Sequence, residues 1–178
     1  GIRRGATIDG ARLMDVTLKT LPDYHVAYLR YVGPYGSADI TQLWNVLKRW
    51  CLSQTRDSQP RELFGISHDD PAITPPNLCR YDVCIEFDRE VLPGGDFGVQ
   101  TIPGGHYACA RFAGKVADIG SAWQWMFHEW LPANGLERDA GPCYERYGGD
   151  MEELSEDGLL ACEICIPVTP RRPRPGRR

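Results

Sequence analysis

VTLKTLPDYHVAYLRYVG (Val16–Gly33) returns 81 residues later as FGVQTIPGGHYACARFAG (Phe97–Gly114). Six of 18 positions are identical at that offset: Thr20 and Thr101, Pro22 and Pro103, His25 and His106, Ala27 and Ala108, Arg30 and Arg111, Gly33 and Gly114. Each copy reads as a strand, a turn marked by Pro with Asp or Gly, and a second strand. The register persists downstream. Ile40, Leu43, Trp44 and Leu47 in the first copy, and Ile119, Ala122, Trp123 and Met126 in the second, follow the i, i+3, i+4, i+7 spacing of an amphipathic helix. The second helix should stop near Trp130-Leu131-Pro132, because the residue before a proline is disfavoured in the helical region.

Beyond the helices, Phe64-Gly65-Ile66-Ser67 corresponds to PCYERY (Pro142–Tyr147), with Gly65 opposite Glu145 and Asp70 opposite Asp150. Asp82-Val83-Cys84-Ile85 matches Glu163-Ile164-Cys165-Ile166, again 81 apart. Each half is therefore strand, strand, helix, strand, strand, and the fold class is α+β. A repeat occurring only twice is not a solenoid, which stacks several short units. Two such modules in tandem are expected to pair their sheets about a pseudo-two-fold axis, sharing burial that neither supplies alone, with helices on one side and a central groove between them. The expected divisions are a tail or linker stub at 1–13, one domain at 14–168 (halves 14–88 and 97–168 with a connector at 89–96), and a basic Arg/Pro tail at 169–178.

On a strand, Cys143, Glu145 and Tyr147 share one face while Tyr144 and Arg146 share the other. The ordinary fate of Glu145 is a nearby Lys or Arg, or water. If its face is concealed, it is a desolvated charge in aromatic surroundings, costly unless something cationic or hydrogen-bonding meets it, and a ligand is one candidate.

The 178 residues suffice for one core shared by two small halves. A 42% hydrophobic and 25% charged composition is ordinary for a soluble globular protein, and no apolar run approaches a membrane span. No signal peptide is evident at this N-terminus. Seven cysteines, an odd number scattered through apolar contexts, suit reduced core thiols, so a cytoplasmic location is expected. Five Arg and no acid fall in Thr169–Arg178, leaving 15 basic against 24 acidic side chains, a net −9, in residues 1–168. Such a body repels a phosphate backbone, so no direct DNA binding by residues 1–168 is expected, and residues 1–15 are too few for a helix-turn-helix.

The repeat, the VGPYG turn at Val32–Gly36, the HDDPAITPPNLCRYD run from His68 to Asp82, the EWLP helix end and PCYERY together resemble the gyrase-inhibitor-like (GyrI-like) small-molecule-binding domain. That family includes free-standing proteins and the effector-binding portions of AraC-type and MerR-type regulators. The resemblance covers roughly residues 14–168. It implies a saddle of two modules around a groove that accepts bulky, aromatic and often cationic molecules. The family's acidic residue matches Glu145, a pocket wall matches Tyr147, and the tyrosine of its G-P-Y turn matches Tyr35, reaching the groove from the other half. The second copy departs, having Gly114-Lys115-Val116 in place of Gly33-Pro34-Tyr35. Trp44 and Trp123 lie on helix stripes where core packing is the default; Trp123 joins the ligand-binding set with Glu145, Tyr147 and Tyr35.

Other chemistries are weaker. Cys162 and Cys165 have C-x-x-C spacing, but three residues apart on a strand they face opposite ways, so no metal is expected there. The four His show no H-E-x-x-H spacing, and Gly94-Gly95 and Gly148-Gly149 precede no lysine of the phosphate-loop type. No cofactor is expected. The leading class is a small-molecule effector-binding module, free-standing or part of a transcription regulator. The second is a hydrolase of strained electrophiles, with Glu145 activating water and Tyr35 polarising the substrate. The third is a protein inhibitor directed at DNA gyrase.

Overall fold

A computed structural model describes residues 7–8, 11–54, 61–87, 95–148 and 159–172. The connector apart from Gly95 and Asp96, Asp150, and the tail beyond Arg172 lie outside the described residues. In chain order the elements are β1 (Thr7–Ile8), β2 (Ala11–Leu21), β3 (Tyr24–Val32), α1 (Ala38–Gln54), β4 (Leu63–Ser67), β5 (Arg80–Glu86), β6 (Gly98–Ile102), β7 (Gly105–Lys115), α2 (Ile119–Trp125), β8 (Leu136–Arg138), β9 (Cys143–Tyr147) and β10 (Leu159–Pro170). Both halves thus give strand, strand, helix, strand, strand, with β8 an addition in the second. β2 begins at Ala11 and β10 ends at Pro170, so strands reach a few residues into both stretches read as tails.

All ten strands join one antiparallel sheet, ordered β1-β2-β7-β10-β9-β4-β5-β3-β6, with β8 beside the end of β10. From β2 to β6 this order runs through equivalent strands of the repeat when read from either end. At its centre β4 pairs with β9, and Gly65 faces Glu145.

The Pro-marked turns do not make hairpins. β2 pairs with β7 and β3 with β6, in a register that continues from Leu21↔Gly105 to Tyr24↔Ile102 across the prolines. Residues 16–28 and 98–110 therefore form one two-stranded ribbon, bent where Pro22 and Pro103 cannot donate a ladder hydrogen bond. The two bends touch. The Gly104 N–H donates to Asp23 Oδ1 at 2.6 Å, and a Cβ on Gly104 would lie 2.5 Å from the Leu21 carbonyl oxygen, so no side chain fits there.

The bent ribbon accounts for two cores. On one face, Leu47 of α1 with Ala122, Met126, Trp130 and Leu131 of the second helical segment cover Ala27, Val83, Ala108, Phe112, Ile164 and Ile166. On the other, where neither helix packs, Leu21, Tyr24, Ile102 and Tyr107 from the bend close over Phe64, Ile66 and Tyr144 of the central strands. Ring contacts span the gap, Tyr24 to Phe64 at 4.8 Å and Tyr107 to Tyr144 at 5.5 Å. Each fully buried aromatic or aliphatic side chain contributes roughly 1.5–3 kcal/mol relative to exposure.

The second helical segment ends at Ala133, near the expected place, but Pro132 is not what stops it. After α2 the chain makes a π-helical turn over Met126–Trp130, where the Leu131 N–H bonds five residues back to the Met126 carbonyl, and then a further turn over Leu131–Ala133. Pro132 stands in the first turn of this last segment, where its missing N–H is no loss.

Candidate functional site

Strand alternation on β9 puts Cys143, Glu145 and Tyr147 on the helix face and Tyr144 and Arg146 on the other, as the sequence pattern requires. Glu145 is 6% exposed. Its Oε2 accepts hydrogen bonds from the hydroxyls of Tyr147 at 2.8 Å and Tyr81 at 3.0 Å, and its Oε1 accepts one from the Trp123 indole N–H at 3.2 Å. All three donors are neutral. Burial pushes the Glu145 carboxyl above the usual carboxylate range, opposed by the hydrogen bonds from Tyr147, Trp123 and Tyr81. The same burial, with the nearby carboxylate, holds the Tyr81 and Tyr147 hydroxyls well above their ordinary value, so both act as donors.

Tyr81 comes from β5 and reaches Glu145 by lying across Gly65. A Cβ on Gly65 would stand 1.9 Å from the Tyr81 hydroxyl oxygen and 3.1 Å from Glu145 Oε2. A glycine inside a strand marks such a close approach. Trp44 of α1 packs edge-on against Tyr147 at 5.5 Å, so both helices contribute an indole to the aromatic surroundings.

Of the residues singled out from sequence, Glu145, Tyr147 and Trp123 come together. Tyr35 stands one ring away: its hydroxyl donates to the Arg80 carbonyl at 2.9 Å and accepts from the Asp69 N–H at 3.1 Å, while its ring meets Tyr81 edge-on at 6.0 Å. Burial pushes its hydroxyl up to about 12. Tyr81 was not singled out. Its signal was Gly65, the small residue in the strand position equivalent to Glu145, on a neighbour of the strand where Tyr81 shares a face with Val83 and Ile85. Cys162 and Cys165 fall in opposite cores, as their spacing requires.

The site is closed. Two depressions among the described residues lie elsewhere: one of about 530 Å³ lined by Gly120, Ser121, Gln124, Trp125, His128 and Glu129, and one of about 260 Å³ around Phe127, Pro132 and Arg171. Trp123, partly exposed, makes the longest of the three bonds to Glu145 and is its outermost donor. It sits one turn before the π-helical segment, a local widening that often accompanies functional sites.

The chain belongs to a known domain family: the family model for the GyrI-like small molecule binding domain matches residues 14–169. Its relatives include YosT of Bacillus subtilis (strain 168), which carries a transcriptional-regulator name and is 31% identical over 156 residues, covering 87% of this chain and 99% of YosT. A DNA gyrase inhibitor of Edwardsiella piscicida is 30% identical over 159 residues, covering 87% of this chain and 98% of its own. Among solved structures, the C-terminal domain of EcmrR superposes with a TM-score of 0.70 at 18% identity, covering 87% of this chain and 97% of that domain. The chain spans 57% of EcmrR as seen in its DNA complex. SAV2435 bound to tetraphenylphosphonium superposes with a TM-score of 0.52 at 15% identity over 88% of this chain and 94% of that one. Among the described residues no helix is long and apolar enough to cross a membrane.

Proposed function

We propose that this chain is an effector-binding module whose ligand is a lipophilic, aromatic cation, received at Glu145 between the two halves. The observation that supports this is a buried carboxylate served, among the described residues, only by neutral donors. Among the described residues Glu145 has its hydrogen bonds but no counter-charge, and a cation entering a low-dielectric aromatic site gains both an ion pair and contact with ring faces. Tyr81, Tyr147, Trp123 and Trp44 supply the rings, and Tyr35 backs Tyr81. In this reading the halves are related by a pseudo-two-fold axis in a saddle, and entry requires the Trp123 indole to leave Glu145. The cation bound to SAV2435 belongs to the same chemical class. In a regulator the bound state would act on a separate DNA-binding domain; in a protein like the gyrase inhibitors the partner would be gyrase.

The test is isothermal titration of wild type and Glu145→Gln with tetraphenylphosphonium and with neutral triphenylphosphine oxide. Glu145→Gln keeps the shape and removes the charge, so cation affinity should fall by about 2–4 kcal/mol while the neutral compound loses much less. Equal losses for both compounds would remove Glu145 as the charge-recognition element. Release of a hydrolysed product from an electrophilic ligand by wild type, and not by Glu145→Gln, would move the reading to the hydrolase.

A further inference from the structure

The face opposite Glu145 holds a second group of chemically capable residues. Cys109 on β7 and Cys165 on β10 are direct cross-strand partners, and both are buried. The two sulfurs and a carboxylate oxygen of Glu163 lie within 4.8 Å of one another. The Cys165 thiol lies 3.8 Å from Glu163 Oε1.

A separate observation points to the same place. Tyr144, the partner of Cys165 across the β9–β10 ladder, is wholly buried, and its hydroxyl has no hydrogen-bond partner among the described residues. A buried hydroxyl left unsatisfied is costly, so a partner for it is to be expected. Tyr144, Cys165 and Cys109 are successive cross-strand partners packed into the same core, which places the Tyr144 side chain beside the thiol pair.

The donor set selects the occupant. Glu163 is held by Lys19 Nζ and by an Arg146 guanidinium nitrogen, each at 2.6 Å, and is not free to ligate. What remains is two soft sulfurs and one neutral hydroxyl. Zinc is almost always four-coordinate in structural sites, and two thiolates with a phenol do not meet that. Thiolates favour Cu(I) among soft ions, and a monovalent d10 ion is content with two of them in line. Its bis-thiolate carries one negative charge, which the cations gathered at Glu163 offset.

We propose that Cys109 and Cys165 form a buried dithiol site for a soft monovalent cation of the Cu(I) class, with the Tyr144 hydroxyl donating to a bound thiolate. Binding breaks two S–H bonds and makes two sulfur–metal bonds; two protons go to solvent and no oxidation state changes. The site belongs to one half only. At the equivalent positions of the first half, Tyr28 faces Cys84, and no second thiol is available.

The test is anaerobic titration of the full chain with Cu(I) against bathocuproine disulfonate, together with X-ray absorption of the loaded wild-type protein. Wild type should hold about one equivalent with two sulfur neighbours. Cys109→Ala and Cys165→Ala should each weaken binding by more than ~100-fold, beyond the loss typical of outer-sphere partners. Cys51→Ala, which alters the half-exposed thiol of α1, should change nothing. Nitrogen or oxygen neighbours in the wild-type spectrum, more than two sulfurs, or binding lost in Cys51→Ala would overturn the assignment even if the buried variants failed to fold.

Discussion

Asp82 and Glu145 are both buried carboxylates, 0% and 6% exposed, that point to opposite faces of one sheet. Asp82 is met by charge. Arg30 grips it through Nε at 2.8 Å and a terminal nitrogen at 2.9 Å, while His68 at 2.6 Å and Gln100 at 3.0 Å complete its shell. Burial pulls its carboxyl upward, but the hydrogen bonds from Arg30, His68 and Gln100 outweigh that and hold it at about 2. Glu145 receives two phenols and an indole, and burial wins. The repeat sharpens the contrast: Glu163, equivalent to Asp82, is likewise matched by Lys19 and Arg146. Among the described residues the fold supplies a cation to Asp82 and Glu163 and none to Glu145. Completed ion pairs hold strands together, whereas an uncompensated carboxylate is what a recognition site requires.

The largest effect should come from breaking the completed site. Asp82→Asn removes the charge that Arg30 answers and should cost about 2–3 kcal/mol in urea unfolding, less than a wholly sequestered pair because Arg30 keeps part of its side chain in water. The matching pH dependence follows from the depressed folded value. The stabilisation is fully present above the ordinary aspartate range near 4, and about 2 kcal/mol is lost as pH falls toward about 2. An acid unfolding limb in that window that persists unchanged in Asp82→Asn would show that another group governs it.

A smaller loss is expected at Gly65→Ala. The added methyl must displace the Tyr81 ring, so stability should fall by about 1–3 kcal/mol, and the Tyr81–Glu145 hydrogen bond should break. Urea unfolding with a structure of the variant would check both; Tyr81 remaining in place would contradict the tight approach.

The smallest change, of opposite sign, is expected at Glu145→Gln. Because the folded Glu145 carboxyl is raised, the native state holds its proton more tightly than the unfolded chain, so wild-type stability declines as pH rises from the ordinary glutamate range through the folded value. Glu145→Gln should lack that decline and be as stable as wild type at neutral pH, or up to about 1 kcal/mol more so. Loss of several kcal/mol would mean that Glu145 is structural, as Asp82 is, and would erase the distinction between them.

Much of this arrangement is legible in the chain. A spaced repeat survives because both copies bury equivalent stripes, so the five-element modules and the faces of β9 could be read from periodicity. Alternation puts Glu145 and Tyr147 on one face, but their expected place in a site, with Tyr35, comes from the family resemblance, and Trp123 stands on a helix stripe where core packing is the default. The bend at Pro22 and Pro103 is not legible, since Pro with Asp or Gly marks a change of direction equally well in a hairpin and in a bent ribbon. Only pairing between distant strands distinguishes the two. Tyr81 was hidden for the same reason: its reach to Glu145 depends on β5 lying beside β4, a neighbour relation no local pattern states. Tyr35 shares its half with Tyr81, and the backbone of Asp69 and Arg80 claims its hydroxyl.

The shared ribbon also sets an order of events during synthesis. Beyond its short pairing with β1 at Ala11 and Arg12, β2 has no sheet partner until β7 exists, some 86 residues later for the Thr20–His106 pair. At about 5–20 residues per second, the amino-terminal half spends roughly 4–17 seconds with that edge unpaired. Such long-range pairing is slow by its topology, and an open strand edge is a template for the wrong neighbour. A ribosome pausing between the halves would prolong that exposure, so the yield of folded protein should depend on the speed at which residues 55–105 are translated.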